Sequence, residues 1–313
     1  MVVCALVISP CFGESLYKQV AGPYQVNSVA AVTLSDPKRS YDVTFRAWFP
    51  EGDGPFPVVV FSTGGFCASQ MYERILHHWV SHGYVLIAPD HVDSPNRPAR
   101  PTPEQMQSII QTRVRDLSFT VDALTAIRRE AGFAATLNTD RLAVAGHSFG
   151  SGVAMMKSGL LIREQDRGTW GPAHDPRFRA AIALSPPGMN DELVADAFSG
   201  LNGPFLATGG TNDLSRIDFS PLTPAEWRRQ AFTMSPPGDK YSLIIDGADH
   251  YLGGLICNPE RGGDPDPQAV EIVRTVTLAF LDAYLKDSQS GMDYLRTEDI
   301  RRQPGGRVDF RRR

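Results

Sequence analysis

The chain has 313 residues, of which 42% are hydrophobic and 21% are charged, the composition of an ordinary globular protein. Its formal net charge of −4 argues against a nucleic-acid or anionic-membrane surface, and no apolar run reaches the length of a membrane span. Length and composition predict one large α/β domain or two smaller ones. No cysteine or histidine spacing typical of zinc occurs, so we predict no metal site.

The first predicted segment, residues 1–15, reads MVVCALVISPCFGES. Its apolar stretch has the length of a signal-peptide h-region, but it lacks a basic n-region and a clean A-x-A site. Two interpretations stay open, a remnant of a secretion signal and a first buried strand, and we favour the first. We therefore expect a secreted or periplasmic protein, with a cytoplasmic one as the alternative.

The first half of the chain alternates strand and helix patterns. Residues 24–34 and 41–49 alternate and are rich in β-formers, which predicts two antiparallel strands. Residues 57–61 form a continuous apolar run, typical of a strand buried on both faces. A helix over 71–82, a strand over 84–88 and a long helix over 104–130 follow, the last with an apolar stripe stepping by three and four.

The motif Gly146-His147-Ser148-Phe149-Gly150 lies between an apolar strand over 141–145 and the start of a helix. A G-x-S-x-G sequence between strand and helix predicts a nucleophile elbow, with the Ser148 hydroxyl exposed on a strained turn. The Phe149 N–H, at the helix N-terminus, would point at a developing oxyanion. The alternative is a Gly/Ser turn without chemistry.

The second half continues the alternation. Strands are predicted over 180–184, 204–208 and 241–245, and a closing helix over 267–285. We predict one α/β domain over 16–286, with a mostly parallel central sheet, antiparallel N-terminal strands and helices on both faces. Residues 287–313 are expected to form a polar, solvated C-terminal tail.

A serine hydroxyl needs a base, and the base needs an orienting carboxylate. His250 follows the last predicted strand and Asp213 follows the strand before it, so both should reach the sheet edge that carries Ser148. The remaining histidines lie on the early helix, in loops or in the elbow. Asp249 is adjacent to His250 and badly placed to orient it, and Asp246 is better suited to capping the loop. We therefore predict Ser148, His250 and Asp213 as the catalytic residues.

The second oxyanion donor should follow the strand over 57–61. Gly65 and Phe66 are both candidates, and we favour Phe66. The rings of Phe66 and Phe149, with Tyr251, are expected to line the substrate pocket, although the two phenylalanines could equally be core aromatics.

Cys67 follows this turn and Cys257 follows the His250 loop, so both are expected to border the site. A disulfide between them is plausible in an exported protein, and two free buried thiols are the alternative.

These residues together resemble the α/β-hydrolase superfamily, in particular its dienelactone-hydrolase-like and platelet-activating-factor-acetylhydrolase-like esterases. The resemblance covers residues 41–285 and is carried by the elbow and by the segments 58–65, 81–90, 210–213 and 247–250. The layout is also similar to bacterial cutinases and polyester hydrolases, in which Phe66 and Phe149 would match the oxyanion donors. True dienelactone hydrolases use cysteine where this chain has Ser148, and the acetylhydrolase-type acid position holds Ser185.

The resemblance implies a metal-free serine esterase that needs no cofactor and forms an acyl-enzyme. We expect it to cleave short-chain or aromatic, polyester-type esters, so its predicted partner is a small or polymeric ester. Two alternatives remain: an amidase or peptidase with the same three residues, and a non-catalytic ligand receptor on the same scaffold.

Overall fold

The computed structural model describes residues 16–162, 173–191, 193–215, 220–297, 300 and 306–313, so the candidate signal segment 1–15 lies outside it. The strands are, in chain order, β1 (Val26–Asp36), β2 (Tyr41–Pro50), β3 (Phe56–Ser62), β4 (Val85–Pro89), β5 (Leu137–His147), β6 (Phe178–Leu184), β7 (Phe205–Asn212), β8 (Lys240–Asp249) and β9 (Val308–Arg312). The helices are α1 (Glu73–Ser81), α2 (Pro103–Gln107), α3 (Ile109–Asp122), α4 (Leu124–Ala131), α5 (Phe149–Lys157), α6 (Pro224–Met234), α7 (Pro267–Leu285) and α8 (Gln289–Arg296).

The described strands form one nine-stranded sheet in the order β1-β2-β4-β3-β5-β6-β7-β8-β9. The six strands from β4 to β8 in this order run parallel, whereas β1, β2 and β9 pair antiparallel at the two sides. The predicted sheet, mostly parallel with antiparallel N-terminal strands, is confirmed. All parallel strands end at one edge, which is where ligands bind in open α/β sheets.

Helices cover both faces of the sheet, as predicted. Val59 and Phe61 of β3 pack into a cluster that includes side chains of α1 and α7. Val58 and Val60 pack into the opposite cluster, which includes side chains of α3, α4 and α5. Because successive side chains of a strand point to opposite faces, both sets must be apolar, which explains the unbroken hydrophobic run of β3.

The helical region after β4 is divided into α2, α3 and α4, where the sequence predicts one long helix. Thr102 caps α2 through a capping box with Gln105. The helix ends at Ser108, whose hydroxyl donates to the Glu104 and Gln105 carbonyl oxygens and so competes with the backbone ladder. Nothing in the structure explains the second break, at Ala123.

The segment after Asp287 differs from the solvated tail that the sequence predicts. Helix α8 packs on α7, and β9 extends the sheet by pairing with β8. In β9, Val308 and Phe310 are buried while Asp309 and Arg311 are exposed. This period-two alternation is the pattern of a half-buried edge strand. The strand is short and four arginines lie in or next to it, so the sequence instead indicated a polar tail.

The described residues include no helix that is long and apolar enough to cross a bilayer.

Candidate active site

Strand β5 turns into α5 at Ser148, which adopts φ 53° and ψ −120°. Few non-glycine residues adopt a positive φ, and such conformations persist only where the surroundings enforce them. A Cβ on Gly146 would lie 2.3 Å from the Gly150 oxygen, and one on Gly150 would lie 2.1 Å from the Ser62 oxygen. The two glycines therefore allow β3, β5 and α5 to approach closely enough to hold Ser148 at the sheet edge.

The structure brings together the three residues that the sequence predicts as catalytic. His250 Nε2 lies 2.8 Å from Ser148 Oγ, and His250 Nδ1 lies 2.7 Å from Asp213 Oδ1. Because the carboxylate accepts from Nδ1–H, Nε2 is the nitrogen free to accept the serine proton. Asp213 directly follows β7 and His250 directly follows β8, so both side chains reach the edge at which Ser148 stands.

Asp213 is fully buried, and its pKa reflects opposing influences. Burial by itself raises the pKa of a carboxyl group, but the contacts with His250 and Arg228 outweigh it and hold the Asp213 pKa well below its usual range. The residue is therefore an ionised acceptor for the His250 ring at neutral pH.

The rival carboxylates are engaged elsewhere. Asp249 accepts hydrogen bonds from the backbone N–H groups of Tyr251, Gly253 and Gly263, so it shapes the loop after β8. Asp246 is exposed and accepts a hydrogen bond from the Thr211 hydroxyl. Neither carboxylate has a hydrogen bond to His250.

The N–H groups that the sequence predicts as oxyanion donors lie in different hydrogen-bonding environments. The Phe149 N–H lies in the first turn of α5, where a helix has no acceptor of its own. The Phe66 N–H, however, donates to Asp93 Oδ2 at 2.9 Å and so already has an acceptor. The Gly65 N–H has no acceptor among the described residues, and a Cβ on Gly65 would lie 3.9 Å from Phe149 Cβ. The geometry favours Gly65 over Phe66.

Asp93 is held by Arg113, a fully buried residue of α3 that sequence reasoning missed. Arg113 donates to both Asp93 oxygens and to the carbonyl oxygens of Thr63 and Gly64. Its guanidinium also lies over the Phe149 ring, 4.6 Å from the centroid. A charged residue on the buried stripe of α3, three positions after Ile110, is the signal that could have drawn attention to it.

His147 joins the elbow to the two loops that flank it. The Gly64 N–H donates to Tyr72 Oη at 2.9 Å, and Tyr72 Oη lies 2.9 Å from His147 Nδ1. His147 Nε2 lies 2.9 Å from the His250 carbonyl oxygen. Burial, together with the nearby His250, lowers the His147 pKa to about 3, so the ring is neutral and donates through Nε2–H only. In this series of hydrogen bonds, Tyr72 Oη therefore donates to His147 Nδ1, and His147 Nε2–H donates to the His250 carbonyl oxygen.

The aromatic residues predicted for the pocket lie in different environments. Phe66 has a φ of 58° and is 62% exposed, so it is not a core residue. Phe149 is half-buried over Arg113. Tyr251 is also half-buried, with its ring centroid 4.9 Å from that of His250.

A second Ser-His-Asp set lies in the interior. His91 Nε2 is 2.9 Å from Ser62 Oγ, and His91 Nδ1 is 2.8 Å from Asp116 Oδ2. All three side chains are buried, so no substrate reaches Ser62. Ser148 is partly exposed, and access to solvent therefore separates the candidate site from a structural network with the same hydrogen bonds.

Cys67 and Cys257 form a disulfide with a Cα–Cα distance of 5.2 Å. It joins the loop after β3 to the loop after His250, so it links the two sides of the candidate site. Among the described residues, no group of three or more His, Cys, Asp or Glu side chains is arranged to hold a metal ion.

The chlorophyllase family model matches residues 17–162, slightly less than half of the chain. The matched segment includes Ser148 but ends before Asp213 and His250. No curated protein matches the chain. The chain has the α/β-hydrolase fold. Together with this fold, the match supports an ester hydrolase in general terms, while the finer resemblance to dienelactone hydrolases and acetylhydrolases stays a prediction.

Reduction of the disulfide should lower the free energy of unfolding by about 2–5 kcal/mol, because the bond closes a long loop of the unfolded chain. Urea unfolding with and without dithiothreitol measures the loss. The double variant Cys67→Ser, Cys257→Ser is the control, since it should show the same loss and no further response to dithiothreitol. An equal urea midpoint for oxidised and fully reduced wild type would contradict the assignment.

Proposed function

We propose that the protein is a serine hydrolase of carboxylic esters, with Ser148 as nucleophile, His250 as base and Asp213 as the orienting acid. The observation that carries this proposal is the His250 ring, hydrogen-bonded to Ser148 Oγ at 2.8 Å and to Asp213 Oδ1 at 2.7 Å. This arrangement activates a hydroxyl that is otherwise a weak nucleophile. The similarity to the chlorophyllase family supports an ester as the bond that is cleaved.

The reaction proceeds in two halves. His250 Nε2 takes the Ser148 proton as Oγ attacks the ester carbonyl carbon, and the N–H groups of Phe149 and Gly65 stabilise the resulting oxyanion. The intermediate collapses, the alcohol leaves with the proton from His250, and an acyl-enzyme remains. Water then attacks the acyl-enzyme with His250 again as base, which releases the acid and restores Ser148.

The exposed apolar side chains of the loop after β3 support an apolar substrate. The Phe66 side chain is 62% exposed in the loop after β3, and Met71 is 38% exposed next to the disulfide. Exposed apolar side chains in a loop that borders the candidate site favour an acyl or alcohol group that covers them. We therefore favour aromatic or polyester-type esters beside short-chain ones, and we add chlorophyll as a candidate on the name of the matching family.

The disulfide also bears on the compartment. Disulfides persist in oxidising environments, so the bridge between Cys67 and Cys257 supports a secreted or periplasmic protein.

Ser148→Ala should lower kcat for a p-nitrophenyl ester on the order of 10⁵-fold or more, because the nucleophile is lost. The control is Ser62→Ala, which removes the hydroxyl of the buried Ser-His-Asp set and should keep most of the activity. Wild-type rates in Ser148→Ala would refute the assignment of Ser148 as the nucleophile.

Wild-type protein should hydrolyse the ester faster than the p-nitroanilide of the same acid, and the reverse order would indicate an amidase.

Asp213→Asn should lower kcat by roughly 10⁴-fold, because an amide at this position favours the wrong tautomer of His250. Asp246→Asn, at an exposed carboxylate near the end of β8, should leave kcat unchanged. Steady-state kinetics at neutral pH distinguish the two. A loss in Asp246→Asn without one in Asp213→Asn would reassign the acid.

Phe66→Ala should raise KM for an ester with an aromatic acyl group more than for an acetate ester, with kcat little changed. The expected ratio of the two effects is about tenfold, the contribution of one buried aromatic contact. Val20→Ala removes an exposed apolar side chain from the region of the C-terminal end of α1 and should change neither KM. Equal KM values for Phe66→Ala and wild type on the aromatic ester would exclude Phe66 from the substrate surface.

A further inference from the structure

Arg228 of α6 lies beside the carboxylate that orients His250. Its side chain is 2% exposed, and Nη2 donates to Asp213 Oδ1 at 2.6 Å. The same oxygen accepts from His250 Nδ1 at 2.7 Å. The two donors, Arg228 Nη2 and His250 Nδ1, are only 3.4 Å apart, so they share one acceptor and do not bond to each other.

Further hydrogen bonds from the two terminal nitrogens of Arg228 hold the guanidinium in place. Nη1 donates to the carbonyl oxygens of Ser185 and Pro186 at the end of β6, and Nη2 also donates to the Ser215 carbonyl oxygen. The guanidinium lies over the Trp227 ring, 4.6 Å from its centroid. A planar fork with several donors can make these contacts at once, whereas a lysine ammonium on a flexible stem cannot.

The charge of Arg228 acts on the base as well as on the acid. When His250 takes the serine proton it becomes a cation, which Asp213 stabilises and Arg228, near Nδ1, destabilises. The other groups that face the His250 ring are Ser148, the neutral His147 and Tyr251. Within the described part of the chain, Arg228 is thus the one full positive charge in contact with the ring.

We propose that Arg228 is a positioning residue of this site, which fixes the Asp213 carboxylate and whose charge opposes the positive charge that the His250 ring gains when it takes the serine proton. The proposal rests on the proposed esterase function. The same hydrogen bonds hold the loop after β7, which carries Asp213, to α6 and to the end of β6.

The test compares the pH dependence of kcat/KM in wild type, Arg228→Met and Arg228→Lys. Arg228→Met removes the charge at similar length, so the acid limb of the profile should move to higher pH by about one unit or more. Arg228→Lys keeps the charge but loses the fork, so the limb should stay near its wild-type position while the plateau falls. Guanidinium ions added to the Met variant should restore part of the wild-type profile.

Arg229→Met is the matched control. Arg229 is the next residue of α6 and is also buried, but it pairs with Asp309 of β9. This variant should leave the acid limb in place even where it lowers thermal stability. An unchanged acid limb in Arg228→Met, whatever happens to the plateau, would overturn the proposal.

A second measurement needs no turnover. In Ser148→Ala protein, NMR follows the pH at which the His250 ring becomes protonated, with and without Arg228→Met, or Arg228→Gln if the Met variant does not fold. Protonation at higher pH in the Arg228 variant supports the proposal, and an equal midpoint refutes it. Failure of the esterase function is seen separately, as activity that survives Ser148→Ala.

Discussion

The close approach of three backbones at the elbow is the constraint on which the candidate site depends. The β3 carbonyl of Ser62 occupies the space that a side chain on Gly150 would need, and the Gly150 carbonyl occupies the corresponding space at Gly146. Packing at this distance forces the chain to turn within one residue. Ser148 takes the unfavourable backbone angles that result, and its hydroxyl is thereby presented at the sheet edge where the loops after β7 and β8 also end.

Buried polar contacts then hold the loops around the site in position relative to the elbow. The chain from Gly64 through Tyr72 and His147 to the His250 carbonyl fixes the loop after β3 and the loop after β8 to the same imidazole. The disulfide between Cys67 and Cys257 joins the same two loops covalently. Because a buried donor or acceptor without a partner is costly, one misplaced loop would disturb the whole chain of hydrogen bonds.

The sequence was sufficient for the parts of the site that follow from strand order. Ser148, Asp213 and His250 each follow a strand of the parallel sheet, so their meeting is a consequence of topology. The choice between Gly65 and Phe66 as oxyanion donor was harder to make from the sequence. The Phe66 N–H donates to Asp93, whose position depends on Arg113. Arg228 left no sequence pattern, since arginines in a helix are usually solvated, and only tertiary packing shows that its side chain turns inward.

The same limit applies to the fold. Long apolar strands such as β3 were predictable because burial on both faces leaves no choice of residue. The break at Ser108 depends on local competition for backbone carbonyls, and the pairing of β9 depends on a free sheet edge. Residue patterns encode both features weakly.

Strand β9 has a further consequence for the molecule as a whole. It covers the side of β8 that would otherwise present unpaired backbone groups, and its own outer edge carries the exposed Arg311 and Arg312. A strand from another copy that added there would place like charges beside one another in the ladder. Among the described strands β9 lies at the end of the sheet, and its arginines therefore disfavour the addition of a further strand. Charged edge strands are one of the ways in which natural proteins keep an open edge from seeding aggregation.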